Sequence, residues 1–177
     1  MGPIEIMWVV LIIIFGIIGL VRGFLKELGV TTVLLVILFA LDRWGSTVAG
    51  YALRGLGYAG LSLASEPAKN VAQAAVYVIV ILIGSFVSYH GETLTFQGTQ
   101  LKGMFGALMG LAIGLVNGYL IVGAIWYYIN EFDYPLGLVS QPLSPVAQQL
   151  VQVLPLNLLP ALLPFLVVFM VIVRVIR

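Results

Sequence analysis

From Ile4 to Val21 the chain carries a single charge, Glu5 at the outer edge, and Arg22 closes the run. An α-helix rises about 1.5 Å per residue, so about 20 apolar residues cross the roughly 30 Å hydrocarbon core of a bilayer. Four more apolar runs follow, set apart by short charged or Pro- and Gly-rich stretches. The pattern predicts a membrane protein. Composition agrees, with 62% of residues hydrophobic and 8% charged, against about 25% charged in a soluble domain. A net charge of +1 supplies no electrostatic footprint for nucleic acid. The lack of Cys removes disulfides, thiolate chemistry and Cys-based metal sites together, and no metal site is expected.

The first run has the wrong polarity for a cleaved signal peptide. Glu5 precedes it, Arg22 and Lys26 follow it, and no Ala-x-Ala-like site comes after. A retained first transmembrane helix is expected.

The runs predict an all-α polytopic bundle of four core transmembrane helices plus a fifth C-terminal one. Helix one covers Ile4 to Val21. Helix two starts near Leu28, meets Asp42 and Arg43 after Leu41, and continues through Trp44 to Tyr51 at headgroup level. Arg54 to Asn70, rich in Gly, Ala and Ser and containing Pro67, reads as a loop with room for a short surface helix. Helix three covers Val71 to Tyr89, and a polar turn runs from His90 to Lys102. Helix four covers Gly103 to Ile129 and ends in Trp126, Tyr127 and Tyr128, residues suited to a headgroup belt. Pro135, Pro142, Pro145 and Pro155 keep Asn130 to Asn157 from forming one helix. Within it, Ser144 before Pro145 marks a helix start, and Val146, Leu150 and Leu154 fall on one side, as in a helix lying in the interface. Helix five covers Leu158 to Val173. The chain thus divides into a four-helix core (1–130), a Pro-rich outer-face segment (131–157) and a C-terminal span (158–177).

Orientation follows from Lys and Arg alone. One side receives Arg22, Lys26, Lys102, Arg174 and Arg177, and the other Arg43, Arg54 and Lys69. The richer side is expected to be cytoplasmic, leaving the N-terminus outside and the C-terminus inside.

Two motifs stand out. Gly106, Gly110, Gly114 and Gly118 recur every four residues and line one stripe of helix four. Small residues at that spacing let a second helix approach closely, within the chain or from another copy. The second motif is the connection GLVRGFLKE, Gly19 to Glu27. So few residues join the first two spans that they are expected to form an antiparallel hairpin. Gly23 permits the reversal, and Arg22 and Lys26 anchor it to an anionic leaflet. Arg22 and Glu27 could also form a docking or ligand-binding pair.

Those residues carry a resemblance. Gly19-x-x-Arg22-Gly23-Phe24-x-x-Glu27 after a first apolar helix resembles the colicin V production protein family of bacterial inner-membrane proteins. LKGMFGALMGLAIG (Leu101 to Gly114) is similar to that family's last core helix, and LSPVAQQLVQVLP (Leu143 to Pro155) to its Ser-Pro tail. Lys102 and Gly103 stand where the family usually has Asp-Arg, Ile113 where an Arg is expected, and the fifth span lies beyond the familiar core. The resemblance implies a four-helix membrane core linked to toxin production or export, biofilm formation or envelope maintenance.

Other signals are weaker. GLGYAG (Gly55 to Gly60) matches a dinucleotide-binding string without the strand and βαβ unit that give it meaning. His90, the sole histidine, could ligate a haem or chlorophyll, but a lone His at a helix end is more often an interfacial hydrogen-bonding residue. Ser88 lacks an orienting acid, which argues against nucleophilic catalysis. No span shows an ionisable residue near its centre, which argues against a proton- or ion-coupled carrier. The expected protein is not an enzyme and has no cofactor of its own. Its partners are the lipid bilayer and other membrane proteins or itself. Two rivals remain: an accessory subunit of a respiratory or photosynthetic complex, with pigment or haem contact, and an oligomeric channel or exporter.

Overall fold

The computed structural model describes residues 3–60, 65–91, 96, 98, 101–137, 139 and 141–176. Among these, all regular structure is helical: α1 (Ile4–Arg22), α2 (Phe24–Tyr58), α3 (Glu66–His90), α4 (Gly103–Glu131), α5 (Pro145–Gln152), α6 (Pro155–Leu158) and α7 (Leu163–Ile176). A 3-10 turn at Pro135–Gly137 follows α4. The first four helices are long and apolar enough to cross a bilayer. The protein is a multi-pass membrane helix bundle.

Helix α2 departs most from expectation. It starts at Phe24 because Gly23 alone makes the turn, at φ 87°, donating its N–H to the Gly19 carbonyl at 2.9 Å. It then runs 35 residues, about 52 Å, past exposed Asp42 and Arg43 to Tyr58. No proline interrupts this stretch, and the glycines within it only weaken the helix. Packing on α3 supports it, since a Cβ on Gly45 would come within 2.5 Å of the Tyr77 ring. The loop expected from Arg54 to Asn70 is correspondingly short. Ser65 caps α3, its hydroxyl accepting from the Ala68 N–H at 3.4 Å, with Pro67 in the first turn.

Residues 92–95, 97, 99 and 100 of the polar turn after α3 lie outside the described residues. Phe96, within that turn, is buried in the core. Helix α4 ends where Asp133 and Tyr134 adopt φ of 59° and 50° and reverse the chain. Tyr134 folds back so that its hydroxyl donates to Asn130 Oδ1 and accepts from Trp126 Nε1.

The fifth run does not form one long span. Pro160 and Pro164 lack N–H groups and disfavour helix just before them, so the C-terminal helix starts only at Leu163, as the 14-residue α7, about 21 Å long, after the one-turn α6. Helix α7 packs on α2 through Leu163 and Met170.

The first two spans are joined through Gly23 alone, yet they are not each other's main packing partners. They are consecutive, but α1 packs chiefly on α4, whereas α2 lies against α3, α4 and α7. Leu34, Leu38, Ile81 and Leu120 fill the centre of α2, α3 and α4.

Candidate functional site

The glycine stripe explains the pairing of α1 with α4. A Cβ on Gly110 would lie 2.6 Å from the Gly19 carbonyl oxygen, and one on Gly114 would lie 2.5 Å from that of Phe15. A Cβ on Gly118 would meet Phe15 Cβ at 2.8 Å and Ile12 Cα at 3.0 Å. The two backbones touch along this seam, and Gly16 and Gly19 of α1 give it a second glycine surface. Gly106 is different: a side chain there would strike the Leu101 carbonyl of the preceding segment, so this glycine does not face another helix.

At the Arg22 end of the seam sits the most concentrated chemistry in the molecule. Glu27 lies one turn inside α2 with no solvent-exposed surface. It was expected in a surface hairpin, but because α2 begins at Phe24 its carboxylate is carried into the bundle. Its Oε1 meets Arg22 Nη1 at 3.2 Å. Its Oε2 accepts from Asn117 Nδ2 at 2.8 Å and from the Tyr89 hydroxyl at 3.1 Å. Asn117 Nδ2 also donates to the Glu27 carbonyl at 3.0 Å. Thr31 Oγ1 stands 2.7 Å from Asn117 Oδ1 and 3.0 Å from the Glu27 carbonyl, with one proton to share between them.

Arg22 completes the arrangement. Its Nη2 donates to the Tyr89 carbonyl at 3.1 Å, and its guanidinium lies 4.5 Å above the Tyr89 ring. That carbonyl belongs to the last turn of α3, whose oxygens lack helical partners and attract a cation. Glu27 sits in the first turn of α2, where the helix dipole favours an anion. Arg22, Glu27, Tyr89 and Asn117 come one from each of the four long helices. We call this arrangement the clamp.

The clamp reaches into the bundle from the Arg22 end, and Asn117 is its innermost member. Gly118 meets Ile12 and Phe15, so Asn117 stands roughly level with Phe15, seven residues and about 10 Å along α1 from Arg22. Ionisable groups at such a position are rare and pair with one another. Glu27 is in the first turn of α2 and not near the centre of that span, yet it is fully buried in the bundle. Asn117 was the missed signal, because a lone amide in the apolar stretch Gly103 to Trp126 has to find a partner in lipid.

The remaining candidates stand apart from the clamp. Phe24 is half-buried beside it, and Lys26 and Lys102 are exposed. His90 is exposed at the end of α3, its ring stacked on Phe86 at 4.5 Å. Among the described residues no group of three His, Cys, Asp or Glu could hold a metal ion.

The hairpin motif, the glycine helix and the four-helix core are now all in place. Residues 4–143 match the family model described as Colicin V production protein. The chain belongs to that family. The match spans α1 to α4 and stops before α5, so the C-terminal helices lie outside it. Searches of curated proteins and of solved structures returned no match.

Proposed function

We propose that this member of the colicin V production family is a non-catalytic component of the bacterial inner membrane. On this reading it supports toxin production or export, or envelope maintenance, by binding neighbouring membrane proteins through its helices. One observation carries the reading. The ionisable and amide groups of the clamp are engaged with one another across all four long helices. A cluster of this kind braces a bundle and offers no free nucleophile or acid to a substrate.

The test is purification of the full chain from a toxin-producing cell in a gentle detergent, with native-gel mass spectrometry of what co-migrates. A defined complex with other membrane proteins, or a discrete homo-oligomer, supports the reading. Turnover of a metabolite, or solute flux through proteoliposomes, overturns it.

Orientation belongs to the same proposal. Without the C-terminal arginines the basic residues balance, with Arg22, Lys26 and Lys102 at one end of the bundle and Arg43, Arg54 and Lys69 at the other. The sequence count, which takes the C-terminal run as a fifth span, adds Arg174 and Arg177 to the Arg22 side and favours a cytoplasmic Arg22 end. The chain has no cysteine, so single introduced thiols report topology without background. A thiol at Lys26 is expected to be shielded from a membrane-impermeant maleimide in intact cells, and one at Tyr58 to react. The reverse result would invert the topology.

A further inference from the structure

Helices α1 and α3 both rest on α4 yet stand apart from each other toward the Glu5 end, and an apolar cleft runs between them. Its wider part has a volume of about 420 Å³ and a narrower continuation about 230 Å³, and the two share Ile4, Met7 and Ile129 as walls. Met7, Leu11 and Phe15 of α1 oppose Ala75, Val78 and Leu82 of α3. From Ile4 to Phe15 the cleft follows 12 residues of α1, about 16 Å. Phe15 closes the far end, its ring 5.8 Å from that of Tyr89.

We propose that this cleft binds one acyl chain of a bilayer lipid, held between α1 and α3 as a structural ligand distinct from the lipids that surround the bundle. Size selects the occupant. A helix is about 10–12 Å across with its side chains, and neither part of the cleft has room for a stretch of one. The wider part falls within the roughly 300–1,000 Å³ of small-ligand sites. Continuity selects it as well. The cleft opens sideways between the two helices, where Met7, Ile14, Leu82 and Phe86 are exposed at membrane depth and therefore meet acyl chains. The cleft walls are apolar along its length, which suits a tail and leaves the headgroup at the Pro3 mouth. Small Ala74 and Ala75 keep that mouth open on the α3 side.

The test uses the full chain in nanodiscs of phosphatidylcholine containing a phospholipid with a diazirine near the middle of one tail. After illumination, labelled peptides are mapped by mass spectrometry. Saturable labelling of Met7, Leu11, Ala75 and Val78 at low mole fraction of probe is expected, with labelling of Ile13 and Ile83 rising in proportion to the probe. Ala75→Phe is expected to reduce the saturable component to the proportional level and leave labelling of the outward faces unchanged. Val78→Phe serves as a second blocking variant should Ala75→Phe not fold. Proportional labelling everywhere, or saturable labelling that survives whichever blocking variant folds, would overturn the proposal. So would disulfide crosslinking of Met7→Cys, in a chain that has no other cysteine, to a second copy of the chain. None of these outcomes depends on the partner reading above, since a lone folded protomer suffices.

Discussion

Helix α1 meets its two neighbours on opposite terms. Against α4 it presents Gly16 and Gly19, and the backbones touch. Toward α3 it presents Met7, Leu11 and Phe15, and a cleft remains until Arg22 reaches over to Tyr89. Both faces are apolar, so hydrophobicity does not account for the difference. In a bilayer, lipid tails solvate Leu and Ile as well as another helix does. Close association therefore requires small residues that admit backbone contact, or polar groups that find each other. The α4 face has the first on both helices and the Arg22 end has the second, whereas the cleft sets the small Ala74 and Ala75 of α3 against the larger Met7 and Leu11 of α1.

The comparison can be broken most forcefully at the clamp. Arg22→Ala leaves the Glu27 carboxylate buried without its cation, and such losses cost about 3–5 kcal/mol. Unfolding in mild detergent followed by intrinsic fluorescence is expected to report a drop of that size. A double-mutant cycle with Glu27→Gln should recover part of it, because the neutral amide no longer needs the guanidinium. Equal destabilisation in both backgrounds would mean that the ion pair does not hold α1 to α2.

Next comes the seam. Gly114→Leu drives a side chain into the Phe15 carbonyl, backbone that cannot rotate aside. Overpacking of this kind costs about 1–3 kcal/mol, and more where nothing yields. The same leucine at Gly106, which faces its own chain rather than α1, is expected to leave labelling of single thiols along α1 unchanged, whereas Gly114→Leu increases it. Identical accessibility of α1 in the two variants would sink the seam as the reason α1 lies where it does.

The smallest effect belongs to the cleft wall. Met7 is more than half exposed, and Met7→Ala is expected to shift stability by no more than about 0.5 kcal/mol. A loss as large as that of Gly114→Leu would show that α1 and α3 are tied along their length after all.

Much of the bundle was legible in the sequence because helix formation and amphipathic stripes are local. Gly110, Gly114 and Gly118 announce a contact surface through a spacing of four residues, and no partner need be known to see it. Ser144 before Pro145 announces a helix start for the same reason. Boundaries were lost where a weak local signal was outweighed by packing. Asp42 and Arg43 suggest an interruption, yet α3 lying alongside carries α2 through to Tyr58. The clamp was half legible. Arg22 and Glu27 are visible as a motif, but Tyr89 and Asn117 lie 62 and 90 residues from Glu27, and nothing local connects them.

By itself the sequence determined that this chain lives in lipid as long helices, that one of them carries a small-residue face, and that a charged pair flanks Gly23. Run length against bilayer thickness and the 3.6-residue period suffice for that. Tertiary structure alone decided that the glycine face belongs to α1, that Glu27 is drawn inside the bundle, and that α3 stands off to leave a cleft. Those outcomes depend on which surfaces approach across the membrane, and lipid, unlike water, does not choose among apolar faces.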